Sequence, residues 1–180
     1  MFARLDRRWR DARTLEDLAG LTALWLEGGL RRHPNGYNQP DEETRDLIPA
    51  LAAANRAGYL TDNSQPGCDE PGYDGARWQQ RAAIEGWVAD RALLHRLERA
   101  ARNAGLLVST DGGPIAVTRR DGRPYTAFGA RMSRRQISHA WRGLHPAAVG
   151  ALADATHLTI VDPEWGPHTR LWDALNAATR

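Results

Sequence analysis

Asp90, the run RALLHRLERAARNA and Gly105 form the least ambiguous element of the sequence. Asp90 is an N-cap residue, Leu93, Leu94, Leu97, Ala100, Ala101 and Ala104 recur at helical spacing, and Gly105 supplies the stop. Short apolar segments flank this helix on both sides. Before it, QRAAIEGWV alternates, with Ala82, Ile84, Gly86 and Val88 on one face and Arg81, Ala83, Glu85 and Trp87 on the other. That reads as a strand, with a short helix as the alternative for an Ala-rich run. After it, residues 106–110 and 115–119 read as strands separated by the turn Asp111-Gly112-Gly113. Asp121-Gly122 is a hairpin turn that pairs residues 125–128 back onto the preceding strand. Helices interleaved with strands this short point to an α+β fold.

The remaining elements fit that class. Thr14 with Asp17 three residues later resembles a capping box and opens a helix carrying Leu15, Leu18, Thr22, Trp25 and Leu26 inward. The turn-rich RRHPNGYNQP follows. A second helix opens at Asp41, and Pro49 inside it predicts a kink or a split. Ser133 with Gln136 caps another helix, and Pro146 leads a short one. Residues 157–161 form an apolar strand left by the loop Asp162-Pro163-Glu164-Trp165-Gly166, and a last helix carries Leu171, Trp172 and Leu175. The expectation is one α+β domain over residues 1–180, a mixed β-sheet of about five or six short strands with helices packed on it. Residues 1–13 are expected to be a loosely ordered basic segment.

Composition sets limits on function. The 42% apolar content suits a globular core, and no apolar run approaches the roughly 20 residues that cross a bilayer. The charged start has no apolar segment behind it, so the expected location is the cytoplasm, with no membrane partner. Cys68 is the single cysteine, which excludes an intrachain disulfide and a multi-thiolate metal cage. The six histidines lack paired metal-ligand spacing, so no metal site is predicted, and no Gly-rich phosphate loop supports a P-loop or dinucleotide reading, which leaves the cofactor open. All 24 basic residues are Arg, as codon bias in a GC-rich genome would give. Their distribution is uneven: residues 119–142 carry a net +6, residues 1–13 a net +3, and the rest a net −7.

Unusual polar chemistry concentrates in residues 55–81. A helix stop at Asn55-Arg56-Ala57-Gly58 leads into a short apolar stub, Tyr59 and Leu60, and then a polar loop over residues 62–75. Loops hung on buried strands are common places for binding groups. NRAGYLTDNSQPG, QRAAIEGWV and VDPEWG together resemble blocks of an uncharacterised family of small actinobacterial proteins, chiefly from Streptomyces, known as a domain of unknown function. The resemblance spans nearly the whole chain and brings no activity with it. Cys68 is not among the residues of those blocks.

Three functional readings compete. The first is binding, with or without turnover, of a small polar ligand in a cleft between the loops 62–75 and 162–166. Asn55, Ser64, Gln65, Arg81, Glu85 and Trp165 would line it, and Asp162 and Glu164 would be the candidate acid and base, since paired carboxylates in unlike surroundings can divide those roles. The structural alternative is that Ser64, Pro66 and Asp162 merely shape turns. The acids around Cys68 disfavour its thiolate. The second reading is nucleic-acid or polyanion binding through Arg119, Arg120, Arg123, Arg131, Arg134, Arg135 and Arg142, interleaved with Tyr125, Phe128 and Trp141. The third is a non-catalytic interaction module with exposed members of the seven tryptophans as anchors.

Overall fold

The computed structural model describes residues 5–110 and 112–180. The chain enters through a one-turn helix, α1 (Arg7–Asp11), which buries Trp9 completely and directs its Nε1–H to Arg32 O at 3.0 Å. The predicted loose segment therefore holds a packed element; its residues 1–4 lie outside the described residues, as does Asp111 of the predicted turn. Next, Thr14 and Asp17 close a capping box at the start of α2 (Leu15–Leu26). A 3-10 turn (Glu42–Leu47) passes directly into α3 (Ile48–Arg56), and Pro49 sits in the first turn of α3, where its missing N–H costs nothing. The expected split is thus realised as a change of helix type.

Eight strands follow among the described residues: β1 (Tyr59–Gln65), β2 (Cys68–Pro71), β3 (Arg77–Gln80), β4 (Ala83–Val88), β5 (Leu107–Ser109), β6 (Ile115–Arg120), β7 (Arg123–Phe128) and β8 (Thr156–Val161). Between them lie α4 (Arg91–Asn103), capped by Asp90, α5 (Arg134–Ala140), boxed by Ser133 and Gln136, and α6 (Pro146–Asp154); α7 (Arg170–Thr179) ends the chain. The α+β class holds, but the sheet differs from the single mixed one expected. There are two antiparallel sheets of four strands, ordered β1-β4-β8-β5 and β2-β3-β6-β7. β2 (CDEP) and β3 (RWQQ) are polar and carry no apolar alternation, so periodicity does not reveal them. The predicted strand over residues 80–88 is real, but it starts in one sheet and ends in the other, crossing at Arg81 and Ala82.

That crossing explains why β4 is buried along its whole length. One face of the first sheet contributes Tyr59, Ile84, Leu158 and Ile160 to the main core beneath α2, α3, α4 and α7. From the other face, Ala83 and Val161 pack on Val117, with Ile115 and Phe128 alongside, so the second sheet closes over it. Asp121 and Gly122 join β6 to β7 with positive φ at both (49° and 78°), as the two-residue hairpin turn requires. The tip between β2 and β3 projects Tyr73 fully into solvent. Among the described residues, no helix is long and apolar enough to cross a membrane.

Candidate functional site

The two loops expected to frame a cleft meet at Gly67 and Gly166. A Cβ added to Gly67 would lie 1.8 Å from Gly166 O, and Gly166 N donates to Gln80 O at 2.9 Å. Most of the groups assigned to that cleft are occupied by the protein itself. Asn55 is buried and caps the approach to β1, donating from Nδ2 to Leu51 O and Thr61 Oγ1 (both 2.8 Å) and accepting from Thr61 N. Gln65 staples the sheets together: Nε2 donates to Arg81 O at 3.0 Å and Val117 O at 2.9 Å, while Oε1 accepts from Thr118 Oγ1 at 3.4 Å.

Asp162 and Glu164 share one cation. Asp162 has no exposed side-chain surface; Arg170 grips both its oxygens at 2.8 Å and reaches Glu164 at 2.7 Å, and Asp162 also accepts from Glu164 N. Both carboxylates raise the Arg170 pKa above the usual guanidinium range. Trp165 lies 4.3 Å from the Arg81 guanidinium and 4.4 Å from that of Arg119, measured to its ring centroid. Arg81 also donates to Ala116 O, and burial lowers its pKa, helped by the Arg119 charge.

Of the predicted ligand groups, Ser64 lines an open cavity, and that cavity faces a different partner. A space of about 70 Å³ lies between β1, α2 and the irregular segment 33–41, with Ser64, Asp62, Thr61, Thr22, Asn35 and Tyr37 in its wall. The segment turns on two backbone bonds, His33 N to Tyr37 O (2.8 Å) and Gly36 N to His33 O (3.0 Å). The β1–β4 register slips between Thr61 and Asn63, leaving Asp62 outside the ladder. Such a bulge re-aims a side chain, and here Asp62 meets Asn35 Nδ2 at 2.8 Å.

His33 anchors the segment. Its ring centroid lies 5.0, 4.9 and 4.8 Å from those of Trp9, Trp25 and Trp141, and burial drives its pKa down to about 3, so the imidazole is neutral at pH 7. Thr22 Oγ1 donates to Leu18 O at 2.9 Å and therefore accepts from His33 Nε2–H at 3.3 Å. The lone pair is then on Nδ1, which faces the Asn35 amide. Burial, with the Glu85 charge behind it, lifts the Asp62 pKa to about 7 against the lowering effect of the Asn35 bond. A carboxyl titrating there can give or take a proton under physiological conditions. Ser64 is not an activated nucleophile of this wall, since both nitrogens of His33 are engaged elsewhere.

Glu85 sits behind the cavity wall, accepting from Asn63 Nδ2 (2.8 Å) and Gly129 N (2.7 Å), with His157 Nε2 at 3.9 Å. Burial lowers the His157 pKa and Glu85 acts the other way. In the sequence Asp62 stands out only as one of several loop acids, and residues 31–40 only as a turn. Nothing in local spacing links Asn35 to a carboxylate 27 positions later.

The arginine-rich segment is largely engaged. Arg119 bonds Gln79, Arg120 pairs with Asp74, Arg134 lies 3.7 Å from Asp154 and Arg142 bonds His139. Arg123, Arg131 and Arg135 have no ion-pair partner among the described residues. The expected exposed tryptophan anchors are not found: Trp9, Trp25, Trp87, Trp141 and Trp172 are buried, and Trp78 and Trp165 half-buried. Burial, then Glu70, raises the Cys68 pKa, in line with the acidic surroundings read from sequence. No group of three or more His, Cys, Asp or Glu converges to hold a metal among the described residues.

No curated protein matches the chain. A family model described as a domain of unknown function (DUF6919) matches residues 4–180, so the chain that builds this cavity belongs to that family.

Proposed function

We propose that the protein binds a small polar ligand in the cavity between segment 33–41 and the outer half of β1, with Asp62 and Ser64 as contact residues. The observation that carries this reading is a bulge that turns a carboxyl out of a strand and into a half-open hollow, beside a hydroxyl. The volume of about 70 Å³ accommodates about five water-sized groups, which suits a compact headgroup rather than a whole nucleotide. Polyanion binding is the weaker reading. Over residues 68–81 and 115–128, five Arg meet four acids, so the second sheet brings anions among its cations.

A thermal-shift screen of small polar compounds tests the proposal, because a ligand specific to the native state raises the melting temperature, by about 2.7 kcal/mol of stability at a hundred times its Kd. At least one compound should give a saturable rise, and Ser64→Tyr, which fills the hollow, should abolish it. A panel without any such compound, or a rise untouched by Ser64→Tyr, would overturn the proposal.

A further inference from the structure

We infer that the group recognised in this cavity is a small organic cation, a protonated primary amine of about the size of methylammonium, held by Asp62; the inference rests on the ligand-binding reading above. The charge of the wall argues for it first. In a chain with 24 arginines, none lines the cavity, whereas Asp41 and Asp62 both do. The one basic side chain there, His33, stays neutral because it is buried among tryptophans.

Asp62 also lacks the partner that a carboxylate withdrawn from water ordinarily has. Among the described residues it bonds Asn35 and no cation, and Glu85 behind it has only two neutral donors and His157 at 3.9 Å. The negative charge under the cavity is thus uncompensated by the protein. Acceptors stand ready as well. Ser64 and Thr44 line the wall, their hydroxyls have no hydrogen-bond partner among the described residues, and with the free oxygen of Asp62 they make three acceptors on the residues of this wall. An alkylammonium brings three N–H donors. Trp25 and Tyr37 supply aromatic surface, which attracts cations. A divalent metal fits less well, since three or more His, Cys, Asp or Glu ligands do not converge among the described residues.

Proton linkage follows. The titratable groups facing Asp62 are Glu85 from β4 with His157 beyond it, and Asp41, Tyr37 and His33 from the segment; burial and Glu85 raise the Asp62 pKa to about 7. A cation must displace the Asp62 proton, so it should bind more tightly as pH rises through 7 and release about one proton.

The test is an NMR titration of the full chain with methylammonium chloride, with acetamide and sodium acetate at equal ionic strength as comparisons. Methylammonium should give saturable shifts at residues 61–64 at pH 8, about tenfold weaker binding at pH 6, and none in Asp62→Asn. If acetamide or acetate binds as well as methylammonium, or if affinity is the same at pH 6 and 8, the cation inference fails while the pocket reading stands. If none of the three perturbs these residues saturably, both fail. Should Asp62→Asn not fold, the pH comparison on the unaltered chain decides the matter by itself.

Discussion

Unfolded at pH 5, His33 carries a proton and Asp62 does not; the folded protein reverses this, because their pKa values move from 6.5 to about 3 and from 3.8 to about 7. The signs oppose. The folded form binds a proton at Asp62 that the unfolded chain has released, so that contribution falls as pH rises from 3.8 to 7. At His33 the unfolded chain binds the extra proton, so that contribution is lost as pH falls from 6.5 towards 3. The two cancel across mildly acidic pH, and the proton is relocated rather than taken up. Asp62→Asn removes one side of the balance. The variant should gain stability relative to the parent as pH goes from 4 to 7, by about 2 kcal/mol once the partial exposure of the position is discounted, with no further gain above. Urea midpoints across that range measure it.

β1 shows what the sequence discloses and what it withholds. Its start is legible, because Tyr59 and Leu60 follow a helix stop and are apolar. Its second half, Asp62 to Gln65, reads as loop, since polar residues there are paired by β4 rather than by any local preference. The same division holds elsewhere. Thr14 with Asp17, Asp90, and Ser133 with Gln136 announce their helices because caps act within three residues, whereas β2 and β3 exist only by virtue of their neighbours. Ser64 and Glu85 stand out in the sequence as polar groups on or beside apolar stubs, but the wall opposite them comes from segment 33–41, which only tertiary folding brings there. Gln65 proves to be a seam residue. Gln65→Leu should cost about 2 kcal/mol by orphaning the Arg81 carbonyl, seen as a lower denaturation midpoint. At the same seam, Gly67→Ala would drive a methyl into Gly166 O. A loss of about 3 kcal/mol or more is expected from such a backbone clash, and thermal melting reads it.

The molecule as a whole is a layer of helices, a buried sheet and a second sheet closing its far side. Asp162 and Arg170 tie the third strand of the buried sheet to the last helix. Arg170→Met would strand a fully buried carboxylate and should cost about 3–5 kcal/mol. Asp162→Leu combined with it should recover much of that, since an apolar pair leaves no charge unmet; chemical denaturation of the two variants checks both outcomes. The outer strands of the second sheet carry Pro71 and Pro124, which offer no N–H to an adding strand. No residue of that sheet lines the cavity between β1 and segment 33–41, and its tip at Tyr73 stands clear of the body. The protein therefore comes with a handle: tethered to a bead or a sensor chip through that tip, it would be held by residues that take no part in the wall of its hollow.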